Sequence, residues 1–253
     1  MKLLSLNIWG GRIGPEKLLG FFKKYNDVDV FCLQEVYAGP QDDIHDHLDR
    51  DESDRIMWHA RQNIEKALSG YHSFFHSQYL ENYGLQLLIK RSLDIKNSGD
   101  FFVYKHKQFV PTDSIGRRAR NLQYATISVD KTQFTVINFH GLWNGQGKGD
   151  SDERIEQSAA VVEFLNTLTT PVLLAGDFNL IPDTKSMAIL EQTGLQNLIT
   201  HNGIISTRTS LYDKPVKFAD YVLVSPSLSV SSFTVLPDEV SDHSALLLEF
   251  SIQ

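Results

Sequence analysis

The sequence predicts an α/β fold in which two sheets pack against each other with helices on the outside. Three observations carry this reading. Short runs rich in Val, Ile, Phe and Tyr recur along the chain, bounded by Gly, Pro, Asn, Asp or Ser. Apolar residues at helical spacing separate some of them. Strand–helix–strand stretches occur once in each half, Lys2 to Leu33 and Gln133 to Gly176, and the second half ends in antiparallel-looking strands.

The first strand is Lys2–Ile8. Its apolar start is too short for a secretory leader, because Asn7 interrupts it. Leu18, Phe21, Phe22 and Tyr25 then fall at i, i+3, i+4 and i+7, one face of a helix. Val28–Leu33 is the second strand, and a helix is expected within Ser53–Leu68. Strands Gly84–Lys90, Asp100–Tyr104, Asn121–Val129 and Gln133–Phe139 follow, with Asp130-Lys131 as a tight hairpin that lacks the usual Gly. Val161, Phe164, Leu165 and Leu168 repeat the helical spacing, and Asp150 with Glu153 fits a capping box for that helix. The remaining segments are strand Pro171–Gly176, a helix near Thr184–Gln192, and strands Phe218–Val224, Val230–Leu236 and Ser244–Phe250.

With 253 residues, 42% of them hydrophobic, the chain can bury a large core, and residues 1–253 are expected to form a single domain. No apolar run reaches membrane-span length, so a cytoplasmic protein is expected. Cys32 is the only cysteine, which rules out an intramolecular disulfide, and its apolar surroundings suggest a buried thiol. The net charge of −7 argues against a globally basic surface for non-specific duplex binding, but it leaves room for a local basic groove.

The informative polar residues cluster at strand ends, where α/β proteins assemble their sites. Asn7 ends the first strand, Glu35 follows the second, His140 follows Val136–Phe139, and Asp177 and Asn179 follow Val172–Gly176. Asp220 lies in Phe218–Val222, and Asp242-His243 precedes Ala245–Leu248. Glu35, Asp177 and Asp242 are hard oxygen ligands or bases, which suit Mg²⁺ or Mn²⁺ better than zinc. His140 and His243 can donate to a phosphate, and Asp220 can fix the tautomer of one of them. Together these groups suit hydrolysis of a phosphate ester.

Leu6-Asn7, Leu33-Gln34-Glu35-Val36, Asn138-Phe139-His140, Gly176-Asp177-Phe178-Asn179, Asp220-Tyr221 and Ser241-Asp242-His243 stand in order along nearly the whole chain. This series resembles the motifs of the endonuclease/exonuclease/phosphatase superfamily, the exonuclease III and deoxyribonuclease I-like phosphoesterases. The resemblance implies a four-layer α/β sandwich, two packed mixed β-sheets flanked by helices, with one metal-centred site. It implies Glu35 as principal ligand of Mg²⁺ or Mn²⁺, with Asn7 and Asp242 near the ion. Asp177 would orient and deprotonate the attacking water, and Asn179 would position Asp177 or the phosphate. His243, held by Asp220, and His140 would contact the phosphate from two sides. Arg154 and Gln157 resemble an Arg-x-x-Gln pattern of the family and would support the site. Asp220-Tyr221 stands where inositol 5-phosphatases have Asp-Arg, and Trp9 stands where repair nucleases often carry an acid.

The expected partner is a phosphate-ester substrate, either nucleic acid or a smaller phosphodiester, and no protein partner is identifiable. Trp9 and Trp143 sit near site residues and could stack on a base. Arg117, Arg118 and Arg120 form a small basic cluster that could bind phosphates or lie on a solvated loop. His45 and His47 resemble a metal pair only superficially, and the Asp-dense run Gln41–Arg55 reads as solvated.

Overall fold

A computed structural model describes residues 1–40, 54–112 and 117–252. His45, His47 and nearly all of Gln41–Arg55 lie outside the described residues. The fold is two six-stranded mixed sheets packed face to face. The first runs β11-β12-β1-β2-β4-β3 and the second β5-β6-β7-β8-β10-β9. These strands are β1 Lys2–Asn7, β2 Val30–Tyr37, β3 Tyr71–Tyr79, β4 Tyr83–Lys90, β5 Asp94–Tyr104 and β6 Arg120–Val129. The rest are β7 Thr132–His140, β8 Val172–Asp177, β9 Gln196–Asn197, β10 Asp220–Val224, β11 Leu228–Val235 and β12 Leu246–Ile252. The helices are α1 Pro15–Lys24, α2 Ala60–Ala67, α3 Asp152–Leu165, α4 Lys185–Glu191 and α5 Leu198–His201.

Each sheet has one parallel pair at its centre, β1–β2 in the first and β7–β8 in the second. Both pairs come from the strand–helix–strand stretches, through α1 and α3 respectively. Strand alternation sorts their side chains into layers. Leu3, Val30 and Cys32 face the second sheet, with Val136, Leu174 and Leu246 in the same cluster. Leu4, Leu6, Phe31 and Leu33 face outward onto Leu18, Phe21, Phe22 and Ile64 of α1 and α2. The result is four layers, with the two sheets inside.

The element boundaries hold several corrections to the sequence reading. Strand β3 went unseen, because its sequence YHSFFHSQY shows little apolar alternation. Strand β5 begins at Asp94, six residues earlier than expected, along a mostly exposed edge. Ser151 rather than Asp150 caps α3, accepting from the Arg154 backbone N–H. Asp150 instead accepts from the backbone N–H groups of Lys185 and Ser186 at the start of α4. The helix expected within Ser53–Leu68 is confined to Ala60–Ala67 among the described residues. The Asp130-Lys131 hairpin forms without Gly, both residues taking positive φ (49° and 70°) as a type I′ turn requires.

Candidate active site

The two parallel pairs point their C-terminal ends the same way, and the polar residues gather there. Asn7 ends β1, His140 ends β7 and Asp177 ends β8. His140 lies in register with Asp177, and Asp177 in register with Asp220 at the start of β10. Glu35 reaches the site through an irregularity. The β2–β4 register shifts between Leu33 and Val36, and Glu35 takes φ +56°, a costly conformation for a non-glycine residue. The bulge turns its carboxylate out of the ladder and into the cleft. Asp242 and His243 arrive on the loop before β12, which Ser241 latches to β1 by donating from Oγ to the Asn7 carbonyl (2.7 Å).

Asp177 Oδ2 is the focal point. Asn7 Nδ2 donates to it at 2.9 Å, His243 Nε2 lies 3.6 Å away and His140 Nε2 3.8 Å away. The other oxygen, Oδ1, accepts from the Asn179 backbone N–H at 2.9 Å. Asn7 Nδ2 also donates to Glu35 Oε1 (3.1 Å), so one amide braces carboxylates from both sheets, while its Oδ1 accepts from the Trp9 N–H. Asn179 sits at φ +54° and donates from Nδ2 to the Gly141 carbonyl. Asp220 holds His243 Nδ1 with both oxygens, at 2.8 and 2.9 Å, which leaves Nε2 facing the cleft.

The two histidines sit in opposed electrostatic settings. Burial disfavours a charge on His243, yet Asp220, followed by Asp177 and Asp242, outweighs burial and Arg208 and raises its pKa above the ordinary value. Burial, reinforced by Arg120, pushes His140 well below its ordinary value, so it stays neutral. Burial alone would raise the Asp177 carboxyl, but the cations around it, His243, Lys148 and Arg208, hold it well below the usual carboxylate range.

Glu35, His140, Asp177, Asn179, Asp242 and His243 line a cleft of about 350 Å³. Among the described residues, Arg12, Arg118, Arg120, Lys148, Arg208 and Lys214 share it with three lining carboxylates, Glu35, Asp177 and Asp242. The site is therefore locally basic although the chain carries −7.

A family model described as the Endonuclease/Exonuclease/phosphatase family matches residues 4–243. The chain belongs to this family. Its members are phosphoesterase hydrolases, typically dependent on a divalent metal. No curated protein sequence matches the chain. Solved structures of family proteins share the fold. A mannosyl-6-phosphatase of Bacteroides thetaiotaomicron superposes with a TM-score of 0.74 at 19% identity, over 100% of both chains. The human Nocturnin catalytic domain, solved with a bound sulfate anion, gives 0.68 at 17% identity, over 100% of this chain and 93% of its own. A humanized D. rerio TDP2 gives 0.69 at 18%, over 99% of this chain and 98% of its own.

The residues present fit the divalent cation typical of the family. Glu35, His140 and Asp177 can each bring one ligand atom within 4.8 Å of the others. Asp242 Oδ2 accepts from Arg208 Nη1 at 2.8 Å, while its Oδ1 is buried with no hydrogen-bond partner among the described residues. An orphaned carboxylate oxygen beside a cleft is what a hard cation or its water satisfies.

Sequence reasoning missed Lys148 and Arg208, and it placed Arg154 only by resemblance. Arg154 is 1% exposed and donates to the carbonyls of Leu142, Gly147 and Gly149, while Gln157 accepts from the Leu142 N–H. Of the basic cluster, Arg117 pairs with Glu153, Arg118 lies over the rings of Tyr79 and Tyr83, and Arg120 is buried at the cleft. Trp9 and Trp143 both line the cleft. The alternating glycines around Lys148 were the available signal: Gly145 and Gly147 both take positive φ in a tight loop.

Proposed function

We propose that this protein is a divalent-metal-dependent hydrolase of phosphate esters, and foremost a phosphodiesterase using Mg²⁺ or Mn²⁺. The observation that carries this reading is the convergence of Asn7, His140 and His243, from three separate strands or loops, on one buried carboxylate oxygen of Asp177. Glu35, with Asp242, would hold the ion, and Asn7 would fix the Glu35 carboxylate. When bound, a divalent cation would offset negative charge on the phosphoryl oxygens and make a nearby water more acidic.

The protein's own groups divide the remaining work. Asp177, ionised and held at both oxygens, orients the attacking water. A carboxylate held so low is a weak base, but an incoming phosphate adds negative charge beside it and raises its basicity, so it can take the water's proton. His243, cationic through Asp220, donates from Nε2 to a phosphoryl oxygen and offsets charge as the new bond forms. Neutral His140 offers a second contact without adding to the positive charge.

A phosphomonoester is the second reading. The cleft of about 350 Å³, walled by Trp9, Tyr37, Tyr83, Trp143 and Tyr212, has the size of a small-molecule site.

The test is turnover of a generic phosphodiester, and of a panel of nucleotides, lipids, sugar phosphates and inositol phosphates, with Mg²⁺, Mn²⁺ or EDTA. Metal-dependent turnover is expected, and Glu35→Ala and Asp177→Ala each lower it by on the order of 1000-fold with unchanged circular dichroism. No metal-dependent turnover on any substrate would sink the proposal.

A further inference from the structure

Lys148 lies in the loop between β7 and α3, which carries glycines at 145, 147 and 149. It is only 4% exposed, yet it lines the cleft together with Asp177, Asp242, His243 and Arg208. Its Nζ has no hydrogen-bond partner among the described residues. Among the described residues no carboxylate forms an ion pair with it, although Asp177, Asp220 and Asp242 all act on it at longer range.

The backbone on either side of this lysine is fixed. The Ile181 N–H donates to the Lys148 carbonyl at 2.9 Å. Arg154 donates to the carbonyls of Gly147 and Gly149, the two neighbours in sequence. A buried guanidinium thus spends its donors on holding this turn. An ammonium buried without a partner is unfavourable by itself. Arg208, the cation nearest in role, is already committed to Asp242 at 2.8 Å. Lys148 is therefore a buried cation facing the cleft without an anionic partner among the described residues.

We propose that Lys148 is a substrate-contacting catalytic residue, whose ammonium donates to non-bridging oxygens of the reacting phosphate from the side of the second sheet. This rests on the phosphoesterase reading above. It adds a positive charge facing the phosphate from the sheet that does not carry Glu35. As charge develops on the phosphoryl oxygens, an ammonium already desolvated strengthens its contact without reorganising.

Lys148→Met keeps the length and apolar stem of the side chain and removes the charge, while Lys148→Arg restores a cation. Three quantities decide: calorimetric affinity for inorganic phosphate in the presence of Mg²⁺, kcat and KM on a generic phosphodiester, and thermal midpoint. The Met variant should bind phosphate at least ~10-fold more weakly and lose on the order of 100-fold in turnover, mostly in kcat, with the Arg variant recovering part of both. Its midpoint should equal or exceed that of the wild type, because no partner is orphaned. A merely structural lysine would give the reverse, a lowered midpoint with phosphate affinity and kcat within about twofold of wild type, and this would overturn the proposal. Absence of phosphate binding by the wild type, or equal binding by all three proteins, would also overturn it. A wild type that binds phosphate but turns over nothing would end the phosphoesterase reading, while the binding comparison still decides Lys148.

Discussion

His243 and His140 show how one residue type comes to sit in two opposed electrostatic settings around one carboxylate. Asp220 supplies His243 with two carboxylate oxygens and draws its pKa up, while burial and Arg120 draw His140 down. Pairs of groups pushed apart in this way mark acid–base assignments. Asp220→Asn should lower kcat by on the order of 100-fold or more, and an NMR titration should show the His243 pKa falling. The same change has a linkage signature. The folded-state pKa of His243 lies above its unfolded value, so its contribution to stability is fully present below that unfolded value and is lost as pH rises through the folded pKa. The stability deficit of Asp220→Asn, measured by urea unfolding, should therefore be largest in acid and narrow toward alkaline pH. A deficit that widens with pH would contradict the assignment.

Element geometry places these side chains by breaking regular structure at chosen points. The bulge in β2 and positive φ at Glu35 turn a ladder residue into a cleft residue. Gly176, one residue before Asp177, takes φ +149°, and a Cβ there would stand 1.9 Å from the Phe139 carbonyl oxygen. Only glycine lets β8 approach β7 closely enough to bring Asp177 beside His140. Gly176→Ala should destabilise the protein by at least ~2 kcal/mol in denaturant titrations, since both backbone and contact are strained. Some elements escape sequence reading for the same local reason that others are legible. β1, β2, β7 and β8 read as nearly continuous apolar runs because apolar layers cover both of their faces. β3 turns residues such as His76 and Gln78 toward polar partners, so its period-two signal disappears.

At the scale of the whole molecule, a polar seam runs between the sheets beneath the site. Gln34 donates to Asn138 Oδ1 (2.7 Å), Asn138 donates to the Leu33 carbonyl and Gln123 Oε1, and Gln123 reaches His76 Nδ1. These buried amides fix the two sheets in one register and so fix Glu35 against Asp177. Asn138→Leu leaves several of them unpaired, and should cost ~2–4 kcal/mol by calorimetry and disturb turnover although Asn138 does not line the cleft. The motif order, the two strand–helix–strand units and the gathering of Asn7, His140 and Asp177 at strand ends were legible in the sequence alone, whereas Glu35 lies at a bulge inside β2 rather than after it. They rest on local periodicity and on the residue types that metal and phosphate chemistry require. Tertiary structure alone decided that Asn7 braces two carboxylates with its amide nitrogen and that Arg208 holds Asp242. It also placed Lys148 in the cleft without a partner among the described residues, and gathered there more cations than carboxylates of the described chain. Each of these is a relation between residues far apart in the chain, set by how two sheets meet, and linear spacing carries no record of it.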